Sequence, residues 1–349
     1  MAYESEECQK SSGVDDEKTL KCKAEYFCMK AERRSTDMII SASRRCDIPS
    51  FYSDWLINRI REGFVYVRNP MNYHQVSKIS LSPDVIDGIV FWTKNPAPMI
   101  EKLDLIKDYM FYFQFTVTAY GKDIESNVPS KKDVIVPSFI ELSKKIGPER
   151  VIWRYDPIMI TERYTADYHI RYFDALAKRF SGYTKKCVIS FVDMYRNTQS
   201  RMKPSVIKNL NDDEMMDIAM RLSEIAGKYR ICLESCAEKI DLKKCGIRHG
   251  HCIDKNLFEK LLGKKLSLGL DKNQREACGC LESVDIGAYD ACNNGCRYCY
   301  ATHSDKTLKR NLLLHDPMSP ILIGKIEEGD VIKEKAMKSN IINQMNIFD

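Results

Sequence analysis

From Met38 onward the chain alternates short apolar runs with longer amphipathic stretches, and each apolar run hands polar side chains to the segment behind it. Met38–Ser43 is the first and ends in Ser43-Arg44-Arg45-Cys46-Asp47-Ile48-Pro49. Val65–Arg68 leads into Asn69-Pro70, Gly88–Thr93 into Lys94-Asn95-Pro96, and the aromatic run Met110–Thr118 into Ala119-Tyr120-Gly121-Lys122-Asp123. Val151–Tyr155 contains Arg154 and leads into Asp156-Pro157, Cys187–Val192 leads into Asp193, and Ile231–Leu233 leads into Glu234-Ser235-Cys236. Short runs rich in β-branched and aromatic residues predict strands. Ser53–Glu62, Pro98–Lys107, Pro137–Lys145, Thr165–Phe180 and Asp212–Tyr229 between them have helical spacing.

Strands alternating with helices predict parallel β/α units, and over residues 37–236 a closed or partial, TIM-like (β/α) barrel. A flavodoxin-like open sheet is the structural alternative, because the same alternation produces it. Functional groups of such folds gather at the C-terminal ends of the strands. That places Arg44, Arg45, Asp47, Lys94, Asn95, Arg154, Asp156 and Glu234 at one mouth. Arginine suits bidentate capture of carboxylate or phosphate, and mixed charges in one cavity suit a zwitterionic or anionic ligand. Arg44, Arg45, Asp47, Lys94, Arg154 and Asp156 are the catalytic candidates, and Asn95, Glu234 and Tyr298 the cofactor-binding ones. For each charged residue the competing reading is a salt bridge that braces a loop or the barrel lining.

Beyond residue 236 regular periodicity fades into Lys, Gly, His and Cys. Residues 237–315 are expected to form a cysteine-rich metal-binding segment and 316–349 a C-terminal tail. Within them Asn256–Leu262 and Lys306–Leu314 predict short helices, Lys272–Glu276 a polar connector, and Ser283–Tyr289 a strand entering a cysteine loop. Residues 1–36 are polar without a sustained apolar period and predict an extension outside the fold. The net charge of +5 on 349 residues does not announce a nucleic-acid binder. No apolar run approaches a membrane span and the first residues are polar and acidic, so a cytoplasmic protein is expected.

The 14 cysteines then become informative: without a secretory signal they are expected to be reduced, and the clustered ones to be metal ligands. Cys8, Cys22 and Cys28 fall in the extension, and Cys187, inside an apolar run, is expected to be a buried small hydrophobe. Cys292, Cys296 and Cys299 stand at the spacing Cys-x3-Cys-x2-Cys. Three thiolates on one loop can hold three irons of a cubane [4Fe-4S] cluster and leave the fourth iron open. Structural zinc is the competing reading, with Cys278 and Cys280 close enough in sequence to complete a four-thiolate set. Cys236, Cys252, Cys278 and Cys280 are candidate ligands of a second cluster or a zinc ion, and Cys245, His249 and His251 share their region.

The loop Ala291-Cys-Asn-Asn-Gly-Cys-Arg-Tyr-Cys-Tyr-Ala301 resembles the cluster loop of radical S-adenosylmethionine enzymes of the spore photoproduct lyase type. The resemblance implies that an open iron chelates S-adenosylmethionine, that reduction by a donor such as ferredoxin or flavodoxin yields a 5′-deoxyadenosyl radical, and that nucleic acid is a candidate substrate. In that superfamily the triplet usually follows the first strand. Here it follows the last, which implies a permuted arrangement with Ser283–Tyr289 beside Met38–Ser43. The whole chain from Met38 to about Ile332 resembles the bacterial family catalogued as domain of unknown function 1848. The match is carried by Ile40-Ser41-Ala42-Ser43-Arg44-Arg45, Val90-Phe91-Trp92-Thr93-Lys94-Asn95-Pro96, Trp153-Arg154-Tyr155-Asp156-Pro157 and Asp285-Ile286-Gly287. It implies a prokaryotic iron–sulfur protein. Gln344-Met345-Asn346-Ile347-Phe348 resembles the short peptide that docks on the bacterial sliding clamp, which implies a possible DNA-bound location.

Overall fold

The computed structural model describes residues 39–193, 196–202, 207–275 and 277–342. The expected extension 1–36, with Cys8, Cys22 and Cys28, and the segment Gln344–Phe348 lie outside them.

In chain order the strands are β1 (Ile39–Ala42), β2 (Phe64–Asn69), β3 (Asn72–Ser80), β4 (Gly88–Thr93), β5 (Phe111–Thr116), β6 (Val151–Ile158), β7 (Lys186–Phe191), β8 (Cys232–Cys236), β9 (Arg248–Gly250), β10 (Lys265–Leu266), β11 (Val284–Asp285), β12 (Val331–Glu334) and β13 (Ile341–Ile342). Eight of them form one parallel sheet in the order β11-β1-β4-β5-β6-β7-β8-β9. From β1 to β8 every added strand lies on the same side of its predecessor. Right-handed crossovers made in one direction carry their helices over the same face, whereas a flavodoxin-like order reverses and covers both. The sheet is the parallel α/β arrangement that the alternation predicts. Its edges are β11 and β9, and among the described residues no strand pairing joins those two into a closed barrel.

The expected neighbour of the first strand is in place. In β11, Val284 lies opposite Ile40 and Asp285 opposite Ser41 of β1, so the cysteine loop leaves the sheet beside Arg44 and Arg45. Val65–Arg68 departs from expectation: it belongs to β2, which pairs antiparallel with β3 in a separate three-stranded sheet completed by β12. Only Pro70 and Met71 connect β2 to β3, and a parallel return would need a long crossover. The C-terminal segment adds to this small sheet, where Arg68 donates to both Asp330 oxygens at 2.6 and 2.7 Å.

Alternation along the central strands sorts their side chains onto two faces. Ile40, Phe91, Phe113, Trp153, Ile189 and Leu233 point to one face and join the largest core cluster with the helices Ser53–Glu62, Val136–Ile146, Ala166–Phe180 and Asp212–Lys228. Thr165 caps the third by accepting from Tyr168 N, and Asn211 with Glu214 forms a capping box on the fourth. The expected helix Pro98–Lys107 is instead Ala97–Ile100 followed by a 3-10 turn at Leu103–Ile106, which buries Met99, Ile100, Leu103 and Ile106 together.

On the opposite face Ile39, Val90, Tyr112, Ile152 and Val188 pack under residues 252–281 and the helix Lys255–Leu262. A Cβ on Gly88 would stand 2.5 Å from the Phe258 ring of that helix, so glycine is what lets the cover lie this close.

Candidate metal-binding cavity

Continuing along the second face toward the C-terminal strand ends, the side chains turn polar. Val90 is followed by Trp92 and Lys94, Tyr112 by Gln114 and Thr116, Ile152 by Arg154 and Asp156, and Val188 by Ser190. These strand ends open on a cavity of 470 Å³. Cys292, Cys296 and Cys299 form one wall; Cys236, Cys252, Cys278 and Cys280 line it as well. Among the expected residues Arg44, Arg45, Asp47, Lys94, Arg154, Asp156 and Tyr298 also line it. Asn95 and Glu234 are not among its lining residues.

The cysteine loop is held from three directions. Gly295 takes φ +69°, the left-handed conformation that glycine adopts without strain. Arg297 N donates to Ile124 O at 2.9 Å, Asn127 N to Asn294 O at 3.1 Å, and Tyr52 OH to Ala291 O. Asn294 Nδ2 donates to Asp47 Oδ2 at 2.9 Å and approaches Cys292 Sγ at 3.5 Å. Asp47 also accepts from Lys94 N at 2.8 Å and caps the turn Ile48–Phe51 through Ser50 N at 3.0 Å. With its oxygens so engaged, this expected catalytic residue joins the ends of β1 and β4 to the cysteine loop. Burial pushes the Cys292 and Cys296 thiols above their ordinary range. Metal binding to such thiols must release protons.

Two carboxylates that periodicity did not mark complete the frame. Glu125, 2% exposed, accepts from Lys94 Nζ at 2.7 Å, Lys131 Nζ at 2.8 Å, Thr118 Oγ1 at 2.8 Å and Tyr298 OH. Burial alone would raise its pKa, but Lys94 and Lys131 outweigh burial and lower it to about 2. Asp285 accepts from Ser41 Oγ at 2.7 Å, Arg44 N at 2.8 Å, Gly287 N at 3.0 Å and Ser43 Oγ. It thereby fixes the backbone from which Arg44 and Arg45 project. The sequence marked Asp285 only within the block Asp285-Ile286-Gly287, and did not mark Glu125.

The remaining charges are mostly paired. Arg154 Nε donates to Asp156 Oδ2 at 3.0 Å and its Nη1 to Cys252 Sγ at 2.9 Å, while Ser190 Oγ donates to Asp156. Glu234 pairs with Lys186 at 2.8 Å, and Lys186 reaches Asp254 at 2.9 Å. Glu234 thus ties β8 through Lys186 to Asp254 of the cover. Asn95 accepts from Ala97 N at 3.3 Å and shapes the turn after β4. Arg45 lies over the Tyr289 ring at 5.1 Å, and Arg44 over Trp92 at 5.8 Å. Arg44 Nη1 and Asn294 Oδ1 are buried without a hydrogen-bond partner.

In the second cysteine group, Cys236 and Cys252 approach at 3.2 Å between sulfurs. The neighbouring Cys280 side chain lowers the Cys278 thiol to about 7. Cys245, His249 and His251 do not join them among the lining residues: the Cys245 thiol faces Met216 O at 3.7 Å and His249 Nε2 donates to Ala277 O. Cys46, which the sequence did not single out, lies in the cavity wall with its thiol raised by burial to about 12. Among the described residues no group of three or more His, Cys, Asp or Glu side chains is already gathered around one metal-ion position.

Fold and cavity together define a parallel α/β protein with a cysteine-lined pocket at its C-terminal strand ends. The chain belongs to the family described as Domain of unknown function (DUF1848), whose model matches residues 39–301, from β1 through the cysteine loop. No curated protein matches it. No helix among the described residues is long and apolar enough to cross a membrane.

Proposed function

We propose that this chain is an iron–sulfur enzyme of the radical S-adenosylmethionine type, with Cys292, Cys296 and Cys299 holding a [4Fe-4S] cluster at the cavity wall. The observation that carries the reading is the position of the loop: three thiols from one tight turn share a cavity with a buried donor, Arg44 Nη1, and a buried acceptor, Asn294 Oδ1, neither of which has a partner. Buried polar groups are ordinarily satisfied, so an unpaired donor and an unpaired acceptor on residues that line the same cavity as three thiols suit a ligand carrying both a carboxylate and an ammonium group. The amino-acid end of S-adenosylmethionine carries both.

When bound, a cluster of this kind supplies a single electron at low potential for reductive cleavage of the cofactor. The chain's own residues provide the surroundings. Asp47 and Asn294 fix the loop to the sheet, Glu125 holds Lys94, Lys131 and Tyr298 in place, and Arg44 offers its free N–H. Arg45, Arg154 and Asp156 remain on the wall for the substrate, for which nucleic acid is the leading candidate. The clamp-docking peptide would support that choice: if Gln344–Phe348 is the anchor, Phe348→Ala abolishes clamp binding, and unchanged binding removes this argument for a DNA substrate.

The decisive experiment is anaerobic reconstitution with iron and sulfide, then electron paramagnetic resonance of the reduced protein with and without S-adenosylmethionine. The reading expects a cofactor-dependent change in the spectrum and formation of 5′-deoxyadenosine, both lost in Cys292→Ala/Cys296→Ala/Cys299→Ala. A cluster indifferent to the cofactor, or zinc alone on this loop, would overturn it.

A further inference from the structure

We infer that Cys236, Cys252, Cys278 and Cys280 form a second metal centre, held by four thiolates and separate from the Cys292 loop. The four residues come from three chain segments: the end of β8, the turn after the neighbouring strand β9 and the connector before β11. Yet Cys236 and Cys252 meet at 3.2 Å between sulfurs, and Cys278 and Cys280 line the same cavity. A thiol placed only as a small hydrophobe is surrounded by hydrocarbon, as Cys187 is in the core beneath the helices. Cys236, Cys252 and Cys280 belong to the apolar cluster of the cover and Cys278 packs against it, but unlike Cys187 all four also line the cavity.

Their surroundings suit thiolates. The Arg154 guanidinium, 6% exposed, donates to Cys252 Sγ at 2.9 Å, and Ile253 N approaches Cys280 Sγ at 3.5 Å. A divalent ion or a cubane cluster with four thiolates carries net negative charge, and a buried cation with N–H donors to sulfur offsets it. The backbone of Cys252 is fixed from below, where its carbonyl accepts from Tyr112 OH at 2.6 Å and Gln114 Nε2 at 2.8 Å. Disulfide formation by the 3.2 Å pair would leave Cys278 and Cys280 unexplained.

Four thiolates bind either a zinc ion or an iron–sulfur cluster, and in both cases four thiol protons are released as four metal–sulfur bonds form. Unlike the loop with three cysteines, this set closes the coordination of its metal. The centre would therefore serve structure or electron transfer and would leave no position for a substrate.

The inference stands apart from the radical-enzyme reading, and two variants of the full chain separate them. Cys292→Ala/Cys296→Ala/Cys299→Ala removes the first site, and Cys236→Ala/Cys252→Ala/Cys278→Ala/Cys280→Ala the second. Each is loaded anaerobically, once with iron and sulfide and once with zinc, and assayed for bound metal, absorbance spectrum and thiols protected from alkylation. Metal retained by the loop variant, with protection of these four thiols, and lost from the other variant is the expected result; the spectrum then distinguishes zinc from a cluster. Half-exposed Cys278→Ser guards against misfolding: it should keep the native circular dichroism and still release this metal. A loop variant that binds neither zinc nor iron, a Cys236–Cys252 disulfide in the anaerobic protein, or Cys278→Ser with undiminished metal would overturn the inference.

Discussion

The two faces of the parallel sheet are built by different means. The helix face is apolar along its length: Phe91, Phe113 and Trp153 are each 0% exposed beneath regular amphipathic helices. The opposite face is apolar only in its lower half, where Val90, Tyr112 and Ile152 support the cover. Above them the same strands present Lys94, Thr116, Arg154 and Asp156 to the cavity, and the cover itself changes from the helix Lys255–Leu262 to loops bearing cysteines. One face serves stability throughout, while the other divides between stability below and chemistry above. Placing all crossover helices on one side is what leaves the second face free for that division.

The largest effect is expected on the helix face. Trp153 stacks on Phe173 with ring centroids 4.7 Å apart and donates from Nε1 to Val117 O at 3.0 Å. Trp153→Ala leaves a cavity and an unpaired carbonyl and should lower unfolding free energy by about 3–5 kcal/mol in urea titration. A loss under about 1 kcal/mol would break the claim that this face carries the stability.

Acid should weaken the same face by a comparable amount. Buried His169 accepts from Tyr155 OH at 2.9 Å and donates from Nε2 to Met159 O at 3.1 Å, an arrangement that fits the neutral ring. Burial lowers its pKa from 6.5 to about 4. Between those values the unfolded chain binds the extra proton, so the contribution is full above pH 6.5 and is lost as pH falls toward 4. The loss should reach about 3 kcal/mol, and His169→Gln should flatten that part of the stability profile.

Gly88→Ala tests the lower half of the other face. The new methyl would press on Phe258 and on Met110, whose carbonyl oxygen is 3.0 Å from the added Cβ. Such overpacking costs about 1–3 kcal/mol. Its signature should be local: faster amide exchange in residues 252–281 with the helix face unchanged, whereas uniform acceleration would mean that the two faces unfold as one.

That contrast also explains what the sequence disclosed. Strands and helices of the helix face were legible because Val136–Ile146 and Ala166–Phe180 repeat their apolar positions at helical spacing against strands that alternate. β2 was misplaced because an apolar run does not say which strand it pairs with, and the Asn69–Asn72 turn decided it. Cys292, Cys296 and Cys299 were visible as a local spacing. Glu125 was not, because it lies outside every apolar or helical run, and Asp285 was visible only within Asp285-Ile286-Gly287, since its partner Ser41 lies 244 residues away in sequence. Glu234 shows the same limit of local reading: Lys186 of the neighbouring strand pairs with it, and it is not among the residues lining the cavity.

The smallest effect should come from Cys187→Ala, and it is the sharpest control on the comparison. Among the described residues Cys187 is as buried as any cysteine, but it lies on the helix face beside Tyr155 and Ile189, on strands whose other side carries the cavity. Burial raises its thiol well above the ordinary value, and no metal-ligand role is assigned to it. Removing one sulfur from a packed core should cost about 1 kcal/mol, near the cost of deleting a single buried methylene. Bound metal after reconstitution should be unchanged. If metal fell instead, thiols on the helix face would be contributing to the centres, and the assignment of stability to one face and chemistry to the upper half of the other would fail at the residue chosen to separate them.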